Sequence, residues 1–190
     1  MYNNVIRTED VNAFEKLSEN YDFIRGRQEY MQQVNDYFKA NGTVAGFPGL
    51  DAETVSSIEA AMSEGQSLPY PQSFFDNNAK TLDILQKMMN RVAEKPETLF
   101  RSWHFEGGEA VVNLANNRLQ LVFNEKPSDE KIKIMKDNGF KWAPKGKAWQ
   151  RPLTHQTMSV CDKLGFVNPH EGRKPTDYQP APPKRNEPER

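Results

Sequence analysis

Between Val11 and Ile24 the apolar residues Val11, Phe14, Leu17, Tyr21 and Ile24 recur every three or four positions, and the same period continues at Tyr30, Val34, Tyr37 and Phe38. That spacing lines one face of an amphipathic helix. Thr8 stands ahead of it as an N-cap, with Glu9 and Asp10 suited to the positive end of the helix dipole. Gly26 interrupts the pattern, so it predicts either one long helix weakened there or two helices hinged there, stopping at Asn41-Gly42. After a turn-rich loop over 42–50, Asp51 caps a short helix carrying Val55, Ile58 and Met62 as far as Gly65. Pro69 and Pro71 hold the next stretch extended, with Tyr70, Phe74 and Phe75 as anchors. From about Asp76, Leu82, Leu85, Met88, Met89 and Val92 repeat at helical spacing until Pro96 closes the helix. The methionine pair reads as core filler.

At residue 100 the period changes from 3.6 to 2, which marks the start of a sheet. Trp103 and Phe105 alternate with Ser102, His104 and Glu106; Gly107-Gly108 is a two-residue hairpin signal; residues 110–114 form a second strand, and Asn116-Asn117 a second turn. A third strand over 118–123 puts Leu119, Leu121 and Phe123 on one face and Arg118, Gln120 and Val122 on the other, completing a meander. Ser128 then caps a helix with Asp129 and Glu130 in its first turn, and Asn138-Gly139 ends it. Phe140 and Trp142 lie on a strand, Pro144-Lys145-Gly146-Lys147 turns the chain, and Trp149 lies on the returning strand. Thr154 caps a last helix with Met158, Cys161 and Leu164, which stops at Gly165. The expected class is α+β: an N-terminal helical unit followed by a small antiparallel sheet with two packed helices. The expected division is a helical domain over 1–98, an α/β module over 99–166 and a Pro-rich tail over 167–190, too polar to order itself.

Charge sharpens this division. Residues 1–99 carry 9 Lys/Arg against 15 Asp/Glu, whereas residues 118–165 carry 10 against 5. An acidic front half joined to a basic module hints at an anionic partner for the second part. No apolar run approaches the roughly 18 residues of a membrane span, and Met1-Tyr2-Asn3-Asn4 lacks the opening of a signal peptide, so a soluble, cytoplasmic protein is expected. With one cysteine, Cys161, and three scattered histidines, no internal disulfide or Cys/His zinc spacing can be assembled, and neither a metal nor a cofactor is expected.

Catalytic constellations are sparse. His104 and Glu106, two apart on a strand, share a face and form an acid/base pair candidate, with Glu109 near across the glycine turn. His155 follows a helix cap and His170 lies in the tail, neither with an evident partner. The stronger signal is residues 138–151, where two tryptophans stand beside cations around a Gly turn, as in sites that stack bases and neutralise phosphates. Phe140, Trp142 and Trp149 read as the aromatic core that holds the hairpin. Arg118, Lys141, Lys145, Lys147 and Arg151, together with Gln150, are then the groups available to a partner.

The run RLQLVFNEKPSDEKIKIMKDNGFKWAPKGKAWQR resembles a module near the C-terminus of phage- and plasmid-encoded accessory proteins, marked by Gly-Phe-Lys-Trp-x-Pro and Ala-Trp-Gln-Arg. YFKANGTVAGFPGL and PYPQSFFDNNA resemble the helical part that precedes it. In one branch the resemblance is to anti-CRISPR proteins that inhibit a type II CRISPR effector nuclease. It implies a non-catalytic inhibitor that binds DNA or the effector ribonucleoprotein in a bacterial host cell. Two other readings stand beside it: a plasmid or phage DNA-binding accessory protein, and a metal-dependent nuclease using His104, Glu106 and Glu109. The long N-terminal helices offer a face that would support a dimer.

Overall fold

Alternation of apolar and polar residues from Trp103 onward produces five antiparallel strands in one sheet: β1 (Trp103–Phe105), β2 (Gly108–Asn113), β3 (Arg118–Phe123), β4 (Lys141–Ala143) and β5 (Ala148–Pro152). The computed structural model describes residues 5–170 and 172–182. The strand order is β1-β2-β3-β5-β4, so the second hairpin joins the meander through β5 and leaves β4 on an edge. Register places Trp103, Ala110, Leu121, Trp149 and Trp142 in one row across all five strands. The neighbouring row, Val111, Gln120, Gln150 and Lys141, points to the opposite face because side chains alternate along a strand. The fold is α+β, as the two periods predict.

Two α-helices among the described residues lie wholly within this sheet unit, α4 (Asp129–Asp137) and α5 (His155–Leu164). Ser128 and Thr154 cap them as expected, accepting from the Lys131 and Thr157 amides. Met135, Phe140, Met158, Cys161 and Leu164 are buried. Cys161 is sealed in α5, and burial, followed by the neighbouring Asp162 carboxylate, pushes its thiol up to about 12. The folded chain keeps that proton where the unfolded chain releases it near 9. This group's contribution to stability is thus intact below pH 9 and is lost as pH rises through 12. Disulfide reagents at pH 8 are expected to label Cys161 only after urea unfolding; labelling of the native protein at the rate of a free thiol would contradict its burial.

The second unit, Ser18–Gln86, is helical. Its core is Val34, Val44 and Ile58, ringed by Tyr30, Phe38, Phe47, Leu50, Val55, Met62 and Tyr70. Asn35, buried on α1 (Ala13–Asn41), exchanges two hydrogen bonds of 2.8 Å with the backbone of Tyr70, fixing the proline-bounded stretch. Asp51 caps α2 (Ala52–Ser63) through the Thr54 amide. The helix expected from Asp76 begins four residues earlier, as α3 (Gln72–Glu94), immediately after Pro71. α1 runs unbroken through Gly26, which settles the choice between one helix and two. All of the acidic excess lies in this unit, with 4 Lys/Arg against 10 Asp/Glu. No helix among the described residues is long and apolar enough to cross a membrane.

Three expectations need correction. Thr8 caps nothing: its hydroxyl donates to the Phe100 carbonyl at 2.7 Å, and α1 starts at Ala13. The residues before Ser18 go with the sheet, because the Leu114 amide donates to the Ile6 carbonyl at 2.8 Å and Arg7 is bonded to Glu109; the division at 98/99 therefore gives way to one at Ser18 and Gln86. The tail orders much further than its composition predicts. Val167 is buried and accepts from the Trp103 indole at 2.8 Å, Phe105 bridges to Pro169, and Pro175–Tyr178 forms a 3-10 turn. The Thr176 amide and hydroxyl both donate to Asp162, and Gln179 exchanges two bonds with the Arg101 backbone. These polar anchors add to the burial of Val167, Pro169 and Pro175. Glu171 and residues 183–190 of that tail lie outside the described residues.

Candidate functional site

An open groove of about 650 Å³ lies beside the second hairpin. Phe123, Trp142 and Trp149 line it from the sheet, and Pro127, Ile132 and Lys136 from α4 and the loop before it. Ile132 and Lys136 are four apart, so helical geometry alone brings them to the same side. Asn124, Glu125, Lys126 and Lys147 complete the lining, giving three ammonium groups and one carboxylate around a mostly apolar surface. Lys126 lies 3.9 Å from Asp129, an exposed pair of little strength.

Trp142 is where the structure departs most from the expected aromatic core. Phe140 and Trp149 are buried, but Trp142 is 50% exposed. The cause is topology: β4 is an edge strand of three residues, so its ring is covered on one side only. The indoles of Trp142 and Trp149 lie 5.6 Å apart with planes 55° from each other, leaving the Trp142 ring open to the groove.

The six predicted partner-binding groups do not share one surface. Arg118, Gln150 and Lys141 lie on the face opposite the tryptophan row. There Asn113 donates to Gln120 at 3.2 Å and Gln120 donates to Gln150 at 3.4 Å, a ladder of side-chain amides across β2, β3 and β5. Arg151 faces the other way and donates to the carbonyl of Asn138, the C-cap of α4, so it ties β5 to the helix end. Lys145 and Lys147 occupy the hairpin turn, and of the six only Lys147 lines the groove. Its φ of 46° is left-handed, a conformation that glycine adopts more readily. Lys126, Lys136, Phe123, Pro127 and Ile132 escaped the sequence reading. Helical spacing ties Ile132 to Lys136, but nothing in the sequence shows that β5 docks on β3.

Of the acid/base candidates, His104 and Glu109 come together, and Glu106 does not join them on the strand. Glu106 sits in the β1–β2 turn rather than on the strand, because the loop is Glu106-Gly107 and Gly108 opens β2. His104 and Glu109 face each other across the strands at 4.0 Å. Glu109, however, is engaged through both oxygens by the Arg7 guanidinium, with one bond of 2.9 Å. Both carboxylate oxygens are thus taken up as acceptors, and the hydrogen bond with Glu109 holds the Arg7 guanidinium above its usual range. His170 lines a shallow recess with His104 and Glu109, apart from the Trp142 groove, and His155 packs against Phe100 at 4.8 Å. Among the described residues no three His, Cys, Asp or Glu side chains gather as metal ligands would.

Comparison of the chain with protein-family models, curated proteins and solved structures finds no match.

Proposed function

We propose that the sheet unit holds nucleic acid without acting on it chemically, at the groove beside Trp142. The observation that carries this reading is the half-exposed indole of Trp142 over an apolar recess that Lys126, Lys136 and Lys147 border. Ammonium groups neutralise phosphates while the flat ring contacts a base. The commitment of Glu109 to Arg7 favours holding over hydrolysis. On the resemblance of the chain to mobile-element accessory proteins, the nucleic acid is that of a type II CRISPR effector ribonucleoprotein. The acidic helical unit, 4 Lys/Arg against 10 Asp/Glu, then faces the effector's cationic channel as a non-catalytic inhibitor.

A gel shift repeated across salt concentrations tests the reading. With about three phosphates neutralised, log affinity for a single strand is expected to fall against log salt with a slope of about −2. Combining Lys136→Ala with Lys147→Gly is expected to flatten that slope to about −1 and to weaken binding at low salt. Lys147→Gly alone relieves the left-handed backbone, so the melting temperature is expected to hold or rise while affinity falls. A salt-independent interaction would sink the proposal. Capture of a guide-loaded type II effector, with and without target DNA, tests the named partner.

A further inference from the structure

The structure assigns the groove to one unpaired base, which makes the module selective for single-stranded over double-stranded nucleic acid. This deepens the reading above and rests on it. In a duplex both faces of every base are covered by neighbours, so a duplex can reach lysines at a rim but cannot offer a face to a ring set in a recess. Trp142 is such a ring. Its indole lines a concavity with Trp149 buried beside it and Phe123, Pro127 and Ile132 as the other apolar walls. Phe123 is itself held, edge to face, against Phe105 at 5.3 Å. At about 650 Å³ the recess lies within the range of small-ligand sites and admits a base with its sugar.

Charge selects among possible occupants. Lys126, Lys136 and Lys147 outnumber Glu125 in the lining, and they border an apolar floor. A base with flanking phosphates matches that arrangement, since the apolar part enters and the anionic part stays at the border. An acidic peptide would match the lysines but leave the aromatic floor uncovered. The chemistry recognised is common to single-stranded DNA and RNA.

The test is fluorescence anisotropy with the full chain at low salt, using oligo-dT and oligo-rU of about 15 nucleotides, a blunt duplex of the same length and an abasic strand with the same phosphates. One or both single strands are expected to bind about tenfold or more tightly than the duplex, and the two arms tell DNA from RNA as the source. Trp142→Ala is expected to weaken single-strand binding roughly 5- to 100-fold and to leave duplex binding within about twofold. Trp142→Phe is expected to keep most of the affinity. The abasic strand should bind the unaltered chain no better than oligo-dT or oligo-rU binds the alanine variant, a comparison that stands even where the variant folds poorly. Equal binding of duplex, abasic and single strands, with a steep salt slope, would overturn base capture and leave the proposed function standing. Absence of binding to all of them would remove both.

Discussion

Gly108→Ala is expected to destabilise the sheet unit by about 3 kcal/mol or more, with the urea midpoint for Cys161 labelling falling accordingly. Gly108 opens β2 opposite Phe123, and a Cβ there would overlap the Val122 carbonyl oxygen and lie 2.7 Å from the Phe105 ring. Neither neighbour yields easily. The carbonyl belongs to the partner strand, and Phe105 is buried. Relief requires β2 to move away from β3 or Phe105 to leave its position, and either change disturbs Phe123, which Phe105 supports and which walls the groove. The alanine variant should therefore lose single-strand affinity together with stability. An unfolding free energy within about 1 kcal/mol of the parent would show that a Cβ at this position is accommodated without moving β2 or Phe105.

Trp149→Ala is expected to cost about 3–5 kcal/mol, the usual range for a large aromatic removed from a packed interior. Trp149 is buried in the row that crosses the sheet and packs beside Trp142 from the neighbouring strand. Trp142→Ala, by contrast, removes a ring that is half in solvent, and its effect on stability should be much smaller. The two tryptophans of one hairpin are thus expected to separate cleanly: one loses the fold, the other loses the ligand. Equal loss of stability from both would place Trp142 in the core after all.

The periodicities carried the local structure well. The helices at Asp51, Ser128 and Thr154 begin where their caps stand, since a side-chain oxygen that satisfies an open amide is a purely local device. The change of period at residue 100 marked the sheet for the same reason. What the chain did not reveal depends on contacts distant in sequence. The Thr8 hydroxyl was available to cap a helix, but the Phe100 carbonyl, 92 residues away, took it. Val167 and Thr176 looked too polar a neighbourhood to order, but the partners that hold them are Trp103 and Asp162. The candidate site suffered most, because membership of the groove depends on strand order. Trp142 and Trp149 look equivalent in sequence, and only the placement of β4 at the edge exposes one and buries the other.

The amides of Asn113, Gln120 and Gln150 set the address of Trp142. Asn113 and Gln120 are buried, so each needs its partner, and the three line up in only one pairing of β2, β3 and β5. Sliding β5 by a single residue along β3 would turn Gln150 to the other side of the sheet and strand Gln120 without an acceptor. The same slip would turn the buried Trp149 away from its row, so the ladder and the apolar packing reject the same misregister. The ladder on one face therefore acts as a key for the other: when it closes, the indole can arrive only at the mouth of the groove.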